Sequence, residues 1–201
     1  MAEIVNADST NCMDRDIGIF ASWSVSSSKP GFEVEQLTDP STTTFWQSEG
    51  PQPHHINITF PRRMAIAQLS IFVDIGLDDS YTPQKISIRA GTFHGDLQEV
   101  KFVELDNPRG WVHFPLGSLA ETDAANADEL DYTDPEAHAI KANIIQLAIL
   151  GNHLNGKDTH VRHVRIFAPK RKQSGLEEEA LSAAGVGEWT TEVMKMHQTI
   201  R

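Results

Sequence analysis

The chain has 201 residues, 39% of them hydrophobic, and a formal net charge of −11, which suits one domain with appendages and a full apolar core. No apolar run approaches the roughly 20 residues of a membrane span, and no basic stripe offers a surface to nucleic acid. A single cysteine, Cys12, cannot form an internal disulfide, so the expected setting is a reducing compartment, nucleus and cytoplasm.

Residues 1–16 are polar and lack periodicity. They carry no basic n-region or apolar h-region of a signal peptide, and a flexible N-terminal arm is expected there. The domain is expected over 17–169. Phe20, Trp23 and Val25 lie in a run of β-formers that ends in Ser26 to Gly31, which is turn chemistry. Asp39 and Pro40 with Ser41 and Thr42 predict a second turn. Residues 44–48 then lead into a loop containing Pro51 and Pro53. His55 to Phe60 alternates strictly, with Ile56, Ile58 and Phe60 on one side, the pattern of a half-buried strand.

Residues 64–74 form a longer apolar run in which Leu69, Ile71 and Val73 share a face. A loop over 78–83 follows, with Asp78 and Asp79 expected to be solvated. Residues 85–90 alternate again, with Ile86, Ile88 and Ala90 inward and Lys85, Ser87 and Arg89 outward. Further strands are expected at 97–105 and at 111–116, the latter with Val112, Phe114 and Leu116 on one side. Residues 121–136 then hold seven acids and no Lys or Arg, which predicts a solvated insertion. Apolar runs at 139–150 and 161–169 close the domain. Eight or so short strands with Gly, Pro and Asp loops, and no long helix, predict an all-β fold, an antiparallel β-sandwich. Trp23, Trp46 and Trp111 are expected in its core.

The last two runs flank Gly151 to His160, which is richer in donors and acceptors than a turn requires. Pairing of these runs would place the loop at one end of the sandwich, where Ser80 and Tyr81 are able to join it. Asn152, His153, Asn155, Gly156, Asp158, Thr159 and His160 are therefore candidate binding residues, carried by a rigid sheet. The plainer alternative is loop architecture, with Asn and Asp bonding their own backbone and Gly156 supplying a positive φ. Amides and a carboxylate in this density suit a peptide, pairing with its backbone and with a basic side chain.

Other chemistries find little support. His153, His160 and His163 lack zinc spacing, and Asn152 and Asp158 lack the acidic complement of a calcium loop, so neither a metal nor another cofactor is expected. There is no nucleophile elbow, no His-Glu-x-x-His and no phosphate loop, and Cys12 has no activating context, so no enzyme is expected. After Pro169, residues 170–175 read as a linker. A tail over 176–201 ends in Ile200 and Arg201, a hydrophobe and a cation beside the terminal carboxylate.

Two features converge on a family. Leu37-Thr38-Asp39, Thr44-Phe45-Trp46-Gln47-Ser48 and the alternating strand from His55 to Phe60 resemble, in that order, the discoidin and galactose-binding-like jelly rolls. Within that group the chain resembles the Doc domain. The similar segments are Trp23 to Phe32, Phe45 to Ser48, Ser80 to Ile86, Gly110 to His113 and Asn152 to His160. The terminal Ile200-Arg201 is similar to the tail of the Doc-domain subunits of the anaphase-promoting complex, or cyclosome.

That resemblance implies a non-catalytic subunit of a ubiquitin ligase acting in mitosis and cell-cycle control. It implies that the polar loop works with a coactivator as co-receptor for destruction-box substrates such as cyclins and raises processivity. It implies further that Ile200 and Arg201 anchor the chain to a tetratricopeptide-repeat subunit, and that the chain contacts the complex's scaffold. The acidic insertion has no place in the family pattern. The runner-up is a carbohydrate-binding jelly-roll module, since loops of this superfamily often bind glycans. Replacing Asn152, Asn155, Asp158 and His160 together by Ala is expected to leave the fold intact and to cut substrate binding.

Overall fold

A computed structural model describes residues 15–117 and 139–169. Three antiparallel sheets account for the described strands. A four-stranded sheet runs β1 (Arg15–Asp16), β11 (His163–Ala168), β5 (Gln68–Asp74), β8 (Arg109–Pro115). A five-stranded sheet runs β2 (Ser22–Val25), β4 (His54–Ile66), β9 (Ile140–Asn152), β6 (Pro83–Gly91), β7 (Gln98–Glu104). The short strands β3 (Trp46–Gln47) and β10 (His160–Val161) pair with one another. One turn of helix, α1 (Ile75–Asp78), is capped by the Asp74 carboxylate, which accepts from Gly76 N.

Strand alternation builds the core as expected. Ile56, Ile58, Leu69, Ile71, Val73, Ile86 and Ile88 are all fully buried, in one cluster with Val112, Phe114, Val164 and Ile166 from both large sheets. Truncating any one of these isoleucines to Ala would cost about 2–5 kcal/mol, because so dense a site cannot collapse onto the void. One row on the outer face of the five-stranded sheet is polar and self-bonded. Asn57 Nδ2 donates to Ser24 Oγ, Gln146 Nε2 donates to Asn57 Oδ1, and Arg89 Nη1 donates to Gln146 Oε1, which ties β2, β4, β9 and β6 across one row.

The structure corrects several expectations. The runs at 139–150 and 161–169 do not pair with each other. Strand β9 is the middle strand of the five-stranded sheet, β11 belongs to the four-stranded sheet, and the loop between them crosses from one sheet to the other. Alternation reveals which face a strand buries but not which sheet receives it. The run at 64–74 is likewise two strands, with Ala67 at the crossing: its N–H donates to Phe167 O and its carbonyl accepts from Leu116 N. Ser87, expected outward in water, is fully buried under its neighbours and hydrogen-bonds Glu99.

Trp46 is fully buried as expected, but Trp111 lies on the outer face of its sheet. There it meets Phe72 edge-on at 5.5 Å and lies under Arg165 at 4.8 Å, a cation–π arrangement. Ile17 fills the place in the core for which Phe20 was a candidate; Phe20 is 57% exposed. Arg15 and Asp16, assigned to the arm from sequence, pair with Ala168 and Phe167. Ile200, Arg201 and the acidic insertion at 121–136 lie outside the described residues.

Candidate functional site

The polar loop is held at nearly every backbone position. Where β9 ends, Asn152 Nδ2 donates to Asp158 O at 2.7 Å and Gly156 O at 3.3 Å, which closes the loop on itself. His153 N donates to Thr82 O at 2.9 Å, and a 3-10 turn follows over His153–Asn155. Gln52 Nε2 donates to Gly156 O at 2.8 Å, and His54 Nε2 donates to Lys157 O at 2.7 Å, since a carbonyl only accepts. His54 therefore fixes the loop from beneath. Thr159 is fully buried: its N–H donates to Ser48 Oγ, its carbonyl accepts from Ser48 N, and its hydroxyl donates to Tyr81 O.

Gly156 has a physical reason other than the one expected. Its φ is −59°, open to any residue. A Cβ there would stand 1.8 Å from Ser80 O, so the glycine permits close packing against the second 3-10 turn, Asp79–Tyr81. The positive φ values fall on Leu154 at 52° and Asn155 at 57°, with Asp79 at 47° on the facing turn. Three residues with side chains are thus held in the left-handed half of the map at one end of the sandwich. Such strain persists only where the surrounding structure enforces it.

Beneath the two turns lies a buried ionic cluster that no local pattern in the sequence reveals. Asp78, expected to be a solvated loop acid, is 5% exposed. Arg162 grips it with both prongs, Nε to Oδ2 at 2.9 Å and Nη2 to Oδ1 at 2.8 Å. The remaining prong, Nη1, donates to Thr42 O at 3.0 Å. His160 Nδ1 donates to Asp78 Oδ1 at 3.0 Å. The imidazole is stacked between Tyr81 and Phe45, at 4.2 Å from each ring centroid. Burial alone would raise the Asp78 carboxyl, but the hydrogen bonds and charges of His160 and Arg162 override it and hold the group below its ordinary range. Asp78 is therefore an anion here, as bidentate acceptance requires.

The candidate residues accordingly divide. Asn152, His153 and Thr159 are buried and serve architecture, and His160 is mostly covered by its two ring neighbours. Asn155 is exposed, Gly156 and Asp158 are part-exposed, and Ser80 and Tyr81 stand on the facing turn. Sequence reasoning missed two side chains of this surface: Leu154 at 73% exposure and the exposed Lys157. The expectation that Asn152, Asn155, Asp158 and His160 can be removed together without harm to the fold does not fit this geometry, since two of the four hold the loop. Among the described residues no cluster of three His, Cys, Asp or Glu side chains is placed to hold a metal ion.

A family model described as "Anaphase-promoting complex, subunit 10 (APC10)" matches residues 3–198. The chain belongs to the family of anaphase-promoting complex subunit 10. A Dictyostelium discoideum member of that family is 46% identical over 155 residues, 77% of this chain and 73% of its own length. The Homo sapiens member is 43% identical over 80% of this chain and 78% of its own length. The Schizosaccharomyces pombe member is 38% identical over 80% and 77%.

Among solved structures, the family 32 carbohydrate-binding module of Clostridium perfringens NanJ, in complex with galactose, superposes with a TM-score of 0.58 at 11% identity, covering 77% of this chain and 99% of the module. A family 32 module from a C. perfringens family 31 glycoside hydrolase gives 0.59 at 13% identity, covering 81% and 99%. At such identities the likeness shows the jelly-roll fold alone.

Proposed function

We propose that this member of the subunit 10 family is a non-catalytic subunit of the ubiquitin ligase and that its loop at 152–160 is a co-receptor for destruction-box degrons. A coactivator supplies the rest of the degron contacts, in the nucleus and the cytoplasm. The observation that carries this reading is the exposed strip of Leu154, Asn155 and Lys157, set beside Ser80 and Tyr81 on two strained turns that the Asp78–Arg162 pair clamps from below. A prearranged surface lowers the ordering cost of capturing an extended peptide.

The strip is small and lacks a deep aromatic pocket, so its affinity for a free degron is weak. Its contribution comes when the coactivator holds the same peptide, because the second contact is then intramolecular and the local concentration is high. Longer residence on the ligase lengthens the ubiquitin chain added per encounter. Ile200 and Arg201 anchor the chain to a tetratricopeptide-repeat subunit in this reading, and the sandwich meets the scaffold.

Two experiments test it. Loop variants confined to the exposed strip are expected to shorten ubiquitin chains while assembly stays normal; full processivity of such variants refutes the co-receptor role. Deletion of Ile200 and Arg201 is expected to weaken binding to the repeat subunit in part, since other contacts remain; unchanged binding refutes the anchor. A glycan array separates the carbohydrate reading, which gains only if a simple sugar binds strongly at this loop.

A further inference from the structure

A second concavity lies away from the loop. A cavity of about 520 Å³ is bounded by strand β1, the 3-10 turn Gly18–Phe20 and the start of β11. Its chemistry is set by Asp16, Trp23, Thr38 and His163, with Ile19 at its rim.

The side-chain donors of Trp23 and Thr38 on its wall are already used. The Trp23 indole Nε1–H donates to Gly18 O at 3.1 Å, so the indole offers only its ring. The Thr38 hydroxyl donates to Glu35 O at 3.1 Å, which leaves its lone pairs. Asp16 Oδ1 accepts from Gly18 N at 2.9 Å, and its other oxygen remains an acceptor. His163 is 6% exposed, and its buried Nδ1 has no hydrogen-bond partner among the described residues. Burial, with the charge of Arg165 beside it, holds this imidazole below its ordinary range. That Nδ1 lies beneath the surface, so His163 contributes wall to the cavity and no hydrogen bond.

The cavity therefore presents a carboxylate, a hydroxyl and an aromatic ring, with the Trp23 and Thr38 donors already used. The complementary group carries donors only, is positively charged and is flat enough to lie on an indole. That is a guanidinium, which stacks on aromatic rings and forks to carboxylates where an ammonium does neither as well. The rim indicates where the guanidinium comes from. Ile19 is 86% exposed and Phe20 57% exposed, side by side on a short turn. Two large apolar side chains presented together at the edge of a polar cavity have the make-up of a protein interface: an anchor pocket beside an apolar contact.

We propose that the Asp16–Trp23–His163 cavity is the socket for an arginine side chain of a partner protein, with Ile19 and Phe20 packing against apolar groups next to that arginine. This surface is separate from the degron loop and concerns how the chain is seated on a partner, not how it captures substrate.

The test uses the full chain, 15N-labelled at tryptophan and titrated with N-acetyl-arginine-N-methylamide. A saturable shift of the Trp23 indole resonance in roughly the millimolar range, absent with the uncharged citrulline counterpart, is the expected result. Asp16→Asn should weaken that binding by at least about fivefold. Thr38→Val, which leaves the Gly18 turn untouched, should weaken it as well. Phe20→Gln, outside the cavity lining, should leave the probe's binding unchanged, yet lower the affinity of the full chain for ligase purified without it by at least about tenfold. Absence of a saturable shift, an equal response to citrulline, or normal assembly of the Phe20→Gln variant would each overturn the proposal. Assembly of the wild-type chain is the control on the ligase reading, and degron capture is scored separately by ubiquitin chain length, so failure of one reading is not mistaken for failure of the other.

Discussion

Arg162 and Asp78 lie 84 residues apart in sequence and meet through two parallel hydrogen bonds of 2.8 and 2.9 Å, with side chains 8% and 3% exposed. The pair links the turn that carries Tyr81, the segment at Thr42 and the strand that follows the polar loop. One buried ion pair thus sets the relative position of three separate pieces of backbone at the site.

Removing one partner leaves a buried charge without compensation. Arg162→Ala or Asp78→Ala is expected to destabilise the domain by about 3–5 kcal/mol, well above a typical surface change. Urea denaturation of each variant checks this, with the midpoint falling and the slope unchanged. A loss below about 1 kcal/mol would mean that the cluster is not the clamp described here.

The same carboxylate sets an acid limb. The folded-state pKa of Asp78 lies below the unfolded value, so its contribution is full above about pH 4 and is lost as pH falls through the folded value. The Asp78→Asn variant should show a shallower loss of stability below pH 4 than the wild type. An unchanged slope there would contradict the assignment.

Histidines act at milder pH. Burial lowers the pKa of His55, His113 and His163, with Arg89 and His54 adding to it at His55 and Arg165 at His163. A histidine depressed in the folded state stabilises the fold while both states are neutral, and that contribution fades as pH drops from about 6.5 toward the folded value. Stability measured between pH 7.5 and pH 5 should therefore decline before any carboxylate titrates. His113→Asn, which keeps a polar group opposite Ser70, should flatten the decline; a curve flat in the wild type would rule the effect out.

Gly156 is expected to tolerate no side chain. Gly156→Ala places a methyl group on Ser80 O and must separate the two turns, although φ itself is permissive. The expected outcome is a loss of about 1–3 kcal/mol, the range for forcing extra atoms into a packed site, together with weaker degron capture. Wild-type melting and wild-type capture would show that the turns are free to move apart.

Much of the fold was legible because alternation is a local property. His55 to Phe60, Lys85 to Ala90 and Trp111 to Leu116 announced their buried faces correctly. What was not legible depends on partners distant in sequence. The strands around the polar loop belong to different sheets, and the pairing of β9 with β4 and β6 and of β11 with β5 reveals it. Trp111 reads as core by size, yet a cation and a second ring cover it on the outer face. At the site, the short polar residues were legible as a group, but their division into supports and surface was not. Asn152 and Asn155 look alike in sequence; one closes the loop and the other projects from a left-handed backbone. Asp78 looked solvated because its partner Arg162 lies 84 residues away, with nothing local to mark it.

The central claim is that the exposed strip holds degrons, and it has a direct test. Leu154→Gly and Asn155→Gly remove side chains at φ values of 52° and 57°, which glycine adopts freely, and Lys157→Ala leaves the Lys157 carbonyl that His54 uses. The measurement is the number of ubiquitins added per substrate encounter by ligase reconstituted with this triple variant, beside the wild type. The account predicts an unaltered melting temperature, normal assembly and severalfold shorter chains. Chains of wild-type length on the assembled triple variant would contradict it.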